Sequence, residues 1–319
     1  MVYCHGLFYK KMSKIKAVID IGTNTFHLLI AEVSDQKGIS VIHKNTIAVK
    51  LGEGGVNKGF IADAAYQRGI AALIQFRKEL DDHHIQFVKA TATAAVRDAK
   101  NGKAFIAEVL AKADIEIEII DGQKEAEYIY LGAKAAGVLS TKTALIMDIG
   151  GGSTEFIICN EKVIFWKKSY RLGAARLLAD FYQEDPISQQ TINKIHHHFK
   201  IQLTDLFEQL HHHQMLSLIG TAGSFDTFSE LIALKNNTVF DANKNHHFDF
   251  NFDALKDLLA EIIISTHQER KEMKGLIPLR VDMILMASIL TRYVLEQANI
   301  QQAVACTFSL KEGLISSDF

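Results

Sequence analysis

The sequence predicts an α/β protein built from two related domains that enclose a cleft. The chain has 319 residues, which is the length of two domains of ordinary size. Strand-like and helix-like segments alternate along it, and its opening pattern restarts 128 residues later, from Asp20 to Asp148. We therefore predict a first domain over residues 1–138 and a second over residues 139–319, with a last helix able to pack back on the first domain.

The composition is that of a globular protein with substantial cores. Apolar residues make up 48% of the chain and charged residues 23%, and the formal net charge is −2. A charge so close to zero gives no global attraction for a polyanion, so an anionic ligand has to be held by local groups and backbone dipoles. Nothing resembles a nucleic-acid-binding module, so we expect no nucleic-acid partner.

The cysteines and the apolar runs predict the compartment. Cys4, Cys159 and Cys306 are widely spaced and form no CxxC motif, which favours a reducing compartment over a disulfide frame. The apolar runs have strand length, and residues 1–16 lack the long apolar core of a secretion signal. We expect a cytoplasmic protein that does not enter a membrane, with Met12 as an alternative start. Its oligomeric state is left open, a homodimer included.

The first half of the chain is predicted to form strands that alternate with helices. Residues 16–33, "KAVIDIGTNTFHLLIAEV", contain two apolar runs broken at 20–25, which is the pattern of strand, tight loop and strand. Apolar residues in 62–80 recur at helical spacing. The later segments are predicted as strands at 39–51, 85–96 and 115–120 and as helices at 105–113 and 124–136.

At Ala144 the opening pattern restarts. "ALIMDIGGGSTEFIIC" matches "AVIDIGTNTFHLLIAE", so that Asp20 aligns with Asp148 and Gly22 with Gly150. The interval is too long for a solenoid and suits a duplicated domain; the alternative is a chance similarity of two hairpins. Two related halves packed face to face would open both hairpin loops onto one cleft, where ligands tend to bind.

Two acids flank the second loop. Asp148 and Glu155 are expected at the mouth of one hairpin, where two like charges are costly unless a cation joins them or one is protonated. A hard ion such as Mg²⁺ suits oxygen ligands and bridges readily to phosphate. The pair therefore predicts a metal site.

The glycines between these acids predict the complementary half of the site. Gly150, Gly151 and Gly152 can adopt positive φ and turn their N–H groups inward as an anion nest, to which Ser153 and Thr154 add hydroxyl donors. Together the acids and the amides describe a metal–phosphate site. The alternative for this loop alone is an ordinary tight hairpin.

A third glycine turn lies in "LIGTAGSFDTFSEL" at 218–231, between an apolar strand and a helix. Helix N-termini attract anions, so Gly223 and Ser224 are candidate phosphate-binding residues, with Ser224 as the N-cap. An ordinary strand-to-helix connection explains the stretch equally well. The chain has no GxxxxGK[ST] motif, and "LGEGGVNKG" at 51–59 lacks GxGxxG spacing, which argues against a P-loop or Rossmann enzyme.

Five segments taken together resemble one family. "VIDIGTNTFHLLIAE", "TATAAVRDAKN", "IMDIGGGSTEF", "RLGAARL" and "LIGTAGS" are similar to the exopolyphosphatase / guanosine pentaphosphate phosphohydrolase (Ppx/GppA) family, in order over nearly the whole chain. That family belongs to the actin, sugar-kinase and heat-shock ATPase superfamily, so the resemblance implies two ribonuclease-H-like domains. It also implies a cleft in which water attacks the terminal phosphate of an anhydride chain with the assistance of Mg²⁺, for which Mn²⁺ is a substitute.

The resemblance implies roles for individual residues. Glu125 matches the family's catalytic base, and Arg97 matches an arginine that grips phosphate. Asp148 and Glu155 match the acids that bind Mg²⁺ and order the water. The matching phosphate-loop residues are Asp20, Gly22, Thr23 and Asn24 in the first loop and Gly150, Gly151, Gly152, Ser153 and Thr154 in the second. Without the resemblance, Glu125 is only an acid in a first helical turn, which the helix dipole favours.

The chain departs from the family pattern at three positions. Lys124 stands where the family has an acid before the base, Glu127 where it has an arginine, and Lys311 occurs in "LKEG" where "LREG" is common. Lys124 could depress the pKa of Glu125 or hold substrate oxygens. These departures bear on substrate preference more than on reaction class.

The leading hypothesis is a hydrolase that releases terminal orthophosphate from inorganic polyphosphate, guanosine pentaphosphate or both. One alternative is a nucleotide-dependent kinase or ATPase of the same fold. The other is a catalytically weak module that binds phosphate polymers or alarmones, for which Lys124 and Glu127 are the argument. The sequence contains no His-Asp dipeptide, so the metal-dependent helical domain of longer members is not expected and short polyphosphates are the expected substrates.

Two further features have competing interpretations. The triplets His196–His198 and His211–His213 are predicted as solvated histidines on a polar helix pair, because metal ligands on a helix need i, i+4 spacing. The segment 165–177, "FWKKSYRLGAARL", either guides a polyanion towards the second loop or is an ordinary charged strand edge. Its basic residues are Lys167, Lys168, Arg171 and Arg176.

Overall fold

The computed structural model describes residues 14–34, 38–213, 217–242 and 244–318. The predictions for Cys4 and for the start at Met12 lie outside these residues. The elements of the first half are β1 Lys14–Ile21, β2 Phe26–Ser34, β3 Gly38–Ile47, α1 Asp63–Asp82, β4 Lys89–Ala92, α2 Ala94–Arg97, α3 Gly102–Ala113, β5 Ile117–Ile119 and α4 Gly122–Ala135.

The second half contains six strands and eight helices among the described residues. They are β6 Ala144–Ile149, β7 Thr154–Cys159, β8 Ile164–Tyr170, α5 Ala174–Phe181, α6 Gln189–Gln202, α7 Thr204–His211, β9 Ser217–Thr221, α8 Ala222–Lys235, β10 His247–Asp249, α9 Phe252–Ile264, α10 His267–Glu272, α11 Met283–Gln297, β11 Ala303–Cys306 and α12 Leu310–Ser316. None of the helices in the described part of the chain is long and apolar enough to cross a membrane.

The two sheets repeat one topology. The first has the strand order β3-β2-β1-β4-β5, and the second has β8-β7-β6-β9-β11 with β10 added at its edge. In each sheet an antiparallel hairpin, β1–β2 or β6–β7, continues through parallel strands, β4 and β5 or β9 and β11. This duplicated arrangement confirms the predicted α/β fold of two ribonuclease-H-like domains.

Strand alternation decides which side chains face the other domain. Val18 and Leu29 of the first sheet and Ile146 and Ile157 of the second share one apolar core with α4 and α12, which pack between the sheets. Alternate residues of the same strands face outward onto separate cores, which α1 and α3 or the second-half helices cover. Residues two positions from the inner core residues, such as Asp20 and Asp148, therefore face the space between the domains.

Two local predictions were wrong. The strand predicted over 85–96 ends at Ala92, and a short helix, α2, follows. Ser224 is not an N-cap, because α8 begins at Ala222 and its cap residue is Thr221, whose side chain makes no capping hydrogen bond. Ala222 has a φ of 65°, so the chain turns immediately after β9 and the helix starts two residues earlier than predicted.

The first histidine triplet is less solvated than predicted. His196 and His198 are half-buried on α6. The ring centroid of His196 lies 5.1 Å from that of Tyr293, and the ring centroid of His198 lies 5.5 Å from that of Phe181. Burial lowers the pKa of both histidines. These two positions lie next to the apolar stripe of α6, so their rings pack at the edge of the core.

Candidate active site

An open cleft of about 970 Å³ lies between the two sheets. Both hairpin loops, the third glycine turn and the start of α12 line it, and Glu125 enters it from the first turn of α4. The sequence-predicted residues found on its walls are Asp20, Gly22, Thr23, Asn24, Asp148, Gly150, Gly151, Gly152, Ser153, Gly223 and Ser224.

The two hairpin loops touch across the cleft. A β-carbon built on Gly151 would lie 3.1 Å from Thr23 Cβ, and one on Gly152 would overlap the Thr23 hydroxyl and lie 2.7 Å from Ala94 Cβ. The predicted positive φ at Gly150, Gly151 and Gly152 was wrong, since none of the three has it. The first domain leaves no room for a side chain at residue 152 and only a tight fit for one at residue 151.

The second loop turns consecutive amides towards one side. The amide and the carbonyl of one trans peptide point in opposite directions, so carbonyls held on one side present the next residues' N–H groups on the other. Residues 151–153 therefore present three N–H groups away from α5, which is the arrangement of an anion nest. The bonds that hold the carbonyls are Ala174 N to Gly150 O (2.9 Å), Ala175 N to Gly151 O (2.9 Å) and Arg176 Nε to Gly152 O (2.7 Å).

The first loop is held in the same way. The carbonyl of Thr23 accepts from Gly52 N (2.9 Å) and that of Asn24 accepts from Lys50 N (2.7 Å). The glycine-rich segment 50–59 thus supports the first loop from behind, a role that its sequence did not reveal. The amides of Asn24 and Thr25 are presented on the opposite side.

Gly22 and Gly150 have a different function from the one predicted. Gly22 N donates to Thr25 O at 3.1 Å, and Gly150 N donates to Ser153 O at 3.0 Å. Both residues line the cleft, but their amides close the two turns and are unavailable to a phosphate. The matched bonds, again 128 residues apart, show that the loops are structurally equivalent.

Asp148 and Glu155 stand directly opposite each other on β6 and β7, on the inner face of the sheet. Thr221 Oγ1 donates to Asp148 at 2.6 Å, and Ser169 Oγ donates to Glu155 at 2.6 Å. Burial is the main cause that raises the pKa of Asp148 to about 6 and that of Glu155 to about 7, and the charge of Asp148 raises the latter further. Two buried acids so close together are ionised at neutral pH only at a cost, which a proton or a bound cation relieves.

These carboxylates fit a hard divalent cation. Among the described residues no group of three or more His, Cys, Asp or Glu side chains encloses a metal position. Mg²⁺ does not need such a cage, because it commonly takes one or two carboxylates and completes its shell with water and phosphate oxygens. Asp148 and Glu155 would hold it, and the buried Asp20 Oδ1, which has no hydrogen-bond partner, is a further oxygen on the facing wall.

Glu125 is buried at the side of the cleft, with 6% of its surface exposed. Burial raises its pKa well above the usual value, the charge of Glu155 adds to this effect, and Arg97 opposes it. Arg97 Nη1 lies 3.2 Å from Glu125 Oε2 and donates to Ile120 O at 3.0 Å. Arg97 thus fixes the carboxylate, whereas its predicted contact with phosphate stays a prediction.

The departures at Lys124 and Glu127 form ion pairs outside the cleft. Lys124 Nζ lies 3.0 Å from Glu127 Oε2, and Lys167 Nζ lies 2.5 Å from Glu127 Oε1. Of the two possibilities for Lys124, a depressed pKa of Glu125 is not found: that pKa is raised, and Arg97, not Lys124, is the positive charge that opposes the rise. These substitutions compensate each other on the outer surface of α4.

Thr154 does not contribute a hydroxyl to the cleft, as had been predicted. Its side chain is fully buried, and its hydroxyl donates to Leu172 O at 3.0 Å. Strand alternation explains the difference, because Thr154 shares the outward face of β7 with Phe156 while Glu155 faces inward. Ser153 precedes the strand and does line the cleft.

Arg176 joins the two domains as a buried clamp. Its guanidinium donates to Gly152 O at 2.7 Å, to Val56 O at 2.5 Å and to Asp98 Oδ2 at 2.5 Å. It is 3% exposed, so it holds the second loop against the first domain and does not guide a polyanion. Lys167 and Lys168 are also bound by acids, and only Arg171 is largely exposed.

Several cleft residues were not singled out from the sequence. Arg280 lies directly over Gly223, where a β-carbon would overlap its guanidinium, and Asp226 of α8 is buried with Oδ1 unpartnered. His27 also lines the cleft, as does Lys311, which the sequence marked only as a departure from the family pattern. For His27 the signal was available, since the 128-residue repeat aligns it with Glu155.

Fold and cleft define a protein of two duplicated α/β domains with an amide-lined, acid-containing cleft between them. The model of the Ppx/GppA phosphatase family matches residues 29–319, and the chain belongs to that family.

Known relatives match nearly the whole of this chain. Exopolyphosphatase 2 of Mycobacterium tuberculosis is 29% identical and covers 94% of this chain and 97% of its own length. The guanosine-5'-triphosphate,3'-diphosphate pyrophosphatase of Aeromonas salmonicida is 24% identical over 95% of this chain and 59% of its own length. The chain is also 34% identical over 90% of its length to the bifunctional 3-dehydroquinate synthase/phosphatase of Fusobacterium nucleatum, of which it spans only 44%.

The similarity extends to solved structures. The crystal structure of an exopolyphosphatase from Cytophaga hutchinsonii superposes with a TM-score of 0.91 at 35% identity, and covers 95% of this chain and 96% of that one.

Proposed function

We propose that the protein is an exopolyphosphatase-type hydrolase that releases terminal orthophosphate from inorganic polyphosphate, with guanosine pentaphosphate as a second substrate. The observation that carries this proposal is the contact between two amide-presenting loops, with Glu125 beside them in the same cleft. The relatives named exopolyphosphatase and guanosine pentaphosphate pyrophosphatase support both substrates.

The cleft holds the end of a phosphate chain by its backbone. The amides of residues 151–153 and of residues 24 and 25 would surround the oxygens of the terminal phosphoryl group from two sides. Such fixed donors do not reorganise during the reaction, so they stabilise the charge that spreads over the phosphoryl oxygens in the transition state. The facing loops close the cleft at this point. The cleft would therefore accept the end of a phosphate chain and not its middle.

Glu125 would act as the general base. Its carboxylate takes a proton from a water molecule while the water oxygen forms a bond to the terminal phosphorus and the bridging P–O bond breaks. The products are orthophosphate and a chain one phosphate shorter. A raised pKa makes the carboxylate a stronger base near neutral pH, provided that it is ionised, and Arg97 favours the ionised form.

Asp148 and Glu155 would hold Mg²⁺, with Mn²⁺ as a substitute. When bound, the ion supplies positive charge that offsets the negative charge of the phosphate oxygens. Its position is set by the hydroxyls of Thr221 and Ser169, which orient the two carboxylates. The free, buried thiols of Cys159 and Cys306 favour action in the reducing cytoplasm.

Orthophosphate release tests this proposal. We expect release from tripolyphosphate and other short polyphosphates, with a dependence on Mg²⁺ that is lost on chelation, and we expect guanosine pentaphosphate to lose its terminal 5′-phosphate. Long polyphosphate and ATP serve as comparison substrates in the same assay. Tight binding of polyphosphate without any release in the presence of Mg²⁺ would contradict the proposal and favour a binding module.

A further inference from the structure

The two hairpins of the cleft pair their inward-facing polar strand residues in the same register, but one residue of each pair differs in chemistry. Asp20 is paired with His27 across β1 and β2 in the same register in which Asp148 is paired with Glu155 across β6 and β7. The second pair lies 128 residues after the first in the chain; Asp20, His27 and Asp148 line the cleft, and Glu155 is buried beside Asp148. The first half of the duplicated centre thus has an imidazole where the second half has a carboxylate.

The exchanged residues have equivalent hydrogen-bond partners in the two halves. Thr25 Oγ1 lies 2.8 Å from His27 Nε2, and Thr46 Oγ1 lies 2.9 Å from His27 Nδ1. In the second half Ser169, at the position matching Thr46 on the third strand, donates to Glu155, and the loop hydroxyl of Ser153 also bonds to it. His27 is therefore held in a fixed orientation, with both ring nitrogens engaged by hydroxyl groups.

The two halves also differ in the charge that they present to a cation. Burial lowers the pKa of His27 well below its usual value, and the nearby positive charges of Lys311, Arg280 and Lys44 lower it further, so the ring is neutral. The first half thus offers a cation one carboxylate, Asp20, beside a ring on which three positive charges act. The second half offers two directly opposed carboxylates, Asp148 and Glu155, and the charge of Asp148 raises the pKa of Glu155.

We propose that His27 divides the duplicated centre into an anion half and a cation half. The second half, with two opposed carboxylates, binds the single divalent ion of the cleft. The first half, with one carboxylate beside a neutral imidazole whose nitrogens are occupied, excludes a second ion and remains available to phosphate. Hard divalent ions prefer oxygen ligands, so an imidazole in place of a carboxylate disfavours them. His27 acts here as a positioning residue, and this division of the centre rests on the proposed function.

The test is a count of bound Mn²⁺ by electron paramagnetic resonance of the full chain. Mn²⁺ titrated into the wild-type protein is expected to occupy one site that disappears in Glu155→Gln; ions that remain bound in that variant are counted as surface background. His27→Glu recreates the opposed acid pair in the first half and is expected to bind two ions above that background. His27→Gln, which is neutral, is the matched control and is expected to bind one.

Each result separates the possibilities. Two equal Mn²⁺ sites in the wild-type chain, or one site in a folded His27→Glu protein, would overturn the division while leaving the hydrolase proposal intact. No site in the wild-type chain would overturn both the division and the metal of the proposed function. If His27→Glu does not fold, Glu155→His decides, since it should bind no ion above background and still bind tripolyphosphate; retained Mn²⁺ would contradict the division.

Discussion

Gly152 of the second domain packs directly against Thr23 of the first, with no space for a side chain between them. This contact brings two amide-presenting loops from distant parts of the sequence to one point. It depends on a second contact behind the loops, where the Arg176 guanidinium holds Gly152 O, Val56 O and Asp98 together. The catalytic proposal therefore requires that the two domains remain closed at this position.

Glu125→Gln is predicted to reduce the rate of orthophosphate release by roughly 10²–10⁴-fold, the usual contribution of a general base. Binding of tripolyphosphate should persist, because the amide is nearly isosteric and the loops are unchanged. Glu127→Gln is the matched control: it lies on the same helix but forms ion pairs outside the cleft, and its turnover should equal that of the wild type. Unchanged turnover in Glu125→Gln would exclude this residue as the base.

Arg176→Gln is predicted to lower the free energy of unfolding by about 3 kcal/mol, because it removes a buried charge from a network and takes from Asp98 the shortest of its ion pairs. KM for polyphosphate should rise as well, since Gly152 loses its support. Arg171→Gln is the control, because that side chain is 67% exposed and lies 3.7 Å from Asp98. Chemical denaturation and steady-state kinetics measure the two effects, and equal stability of both variants would show that Arg176 is no clamp.

Ser153 and Thr154 are predicted to differ although they are neighbours. Thr154→Val should cost about 1 kcal/mol of stability, because Leu172 O loses its hydrogen bond, with no change in KM. Ser153→Ala should raise KM about fivefold, the equivalent of one hydrogen bond of about 1 kcal/mol. Thermal melts and steady-state kinetics measure the two effects. If Thr154→Val raised KM and Ser153→Ala lowered stability instead, Thr154 would face the cleft and Ser153 the core, which would contradict the assignment.

The contribution of the buried cleft carboxylates to stability without divalent ions is predicted to fall between pH 5 and pH 8, whereas the lowered pKa values of His27, His196 and His198 act in the opposite direction. Burial raises the pKa of Asp20 and Glu155 to about 7 and that of Asp148 to about 6, above the values of an unfolded chain. At these carboxylates the folded state then binds more protons than the unfolded state in this range, so their contribution to stability is lost as the pH rises through the folded pKa values. For an isolated group the loss is about 1.4 kcal/mol for each tenfold difference in proton affinity between the folded and unfolded states.

Mg²⁺ should restore the melting temperature at pH 8 and have little effect at pH 5, where protons compete for the same carboxylates. Calorimetry at both values measures the difference. Asp148→Asn should flatten the pH profile and abolish the Mg²⁺ effect. A melting-temperature difference between Asp148→Asn and the wild type that is the same at pH 5 and pH 8 without Mg²⁺ would contradict the assignment of this buried acid.

Much of the fold was predictable because the duplicated hairpin carries its own signal. The alternating apolar runs around Asp20 and Asp148 gave the strands, and their spacing gave the two domains. The loop mechanism was not predictable, because the positions of the amides depend on α5, on Arg176 and on the segment behind the first loop, which are remote in sequence. The burial of Thr154 could have been inferred from strand alternation, and His27 from the repeat.

The most direct test of the central claim is hydrolysis of tripolyphosphate in H₂¹⁸O, with the products analysed by mass spectrometry. If the loops hold the terminal phosphoryl group and Glu125 activates the attacking water, all of the label incorporated by the enzyme appears in orthophosphate and none in pyrophosphate. Label in pyrophosphate would mean that water attacks the inner phosphorus, and would contradict the proposed placement of the chain end between the two loops.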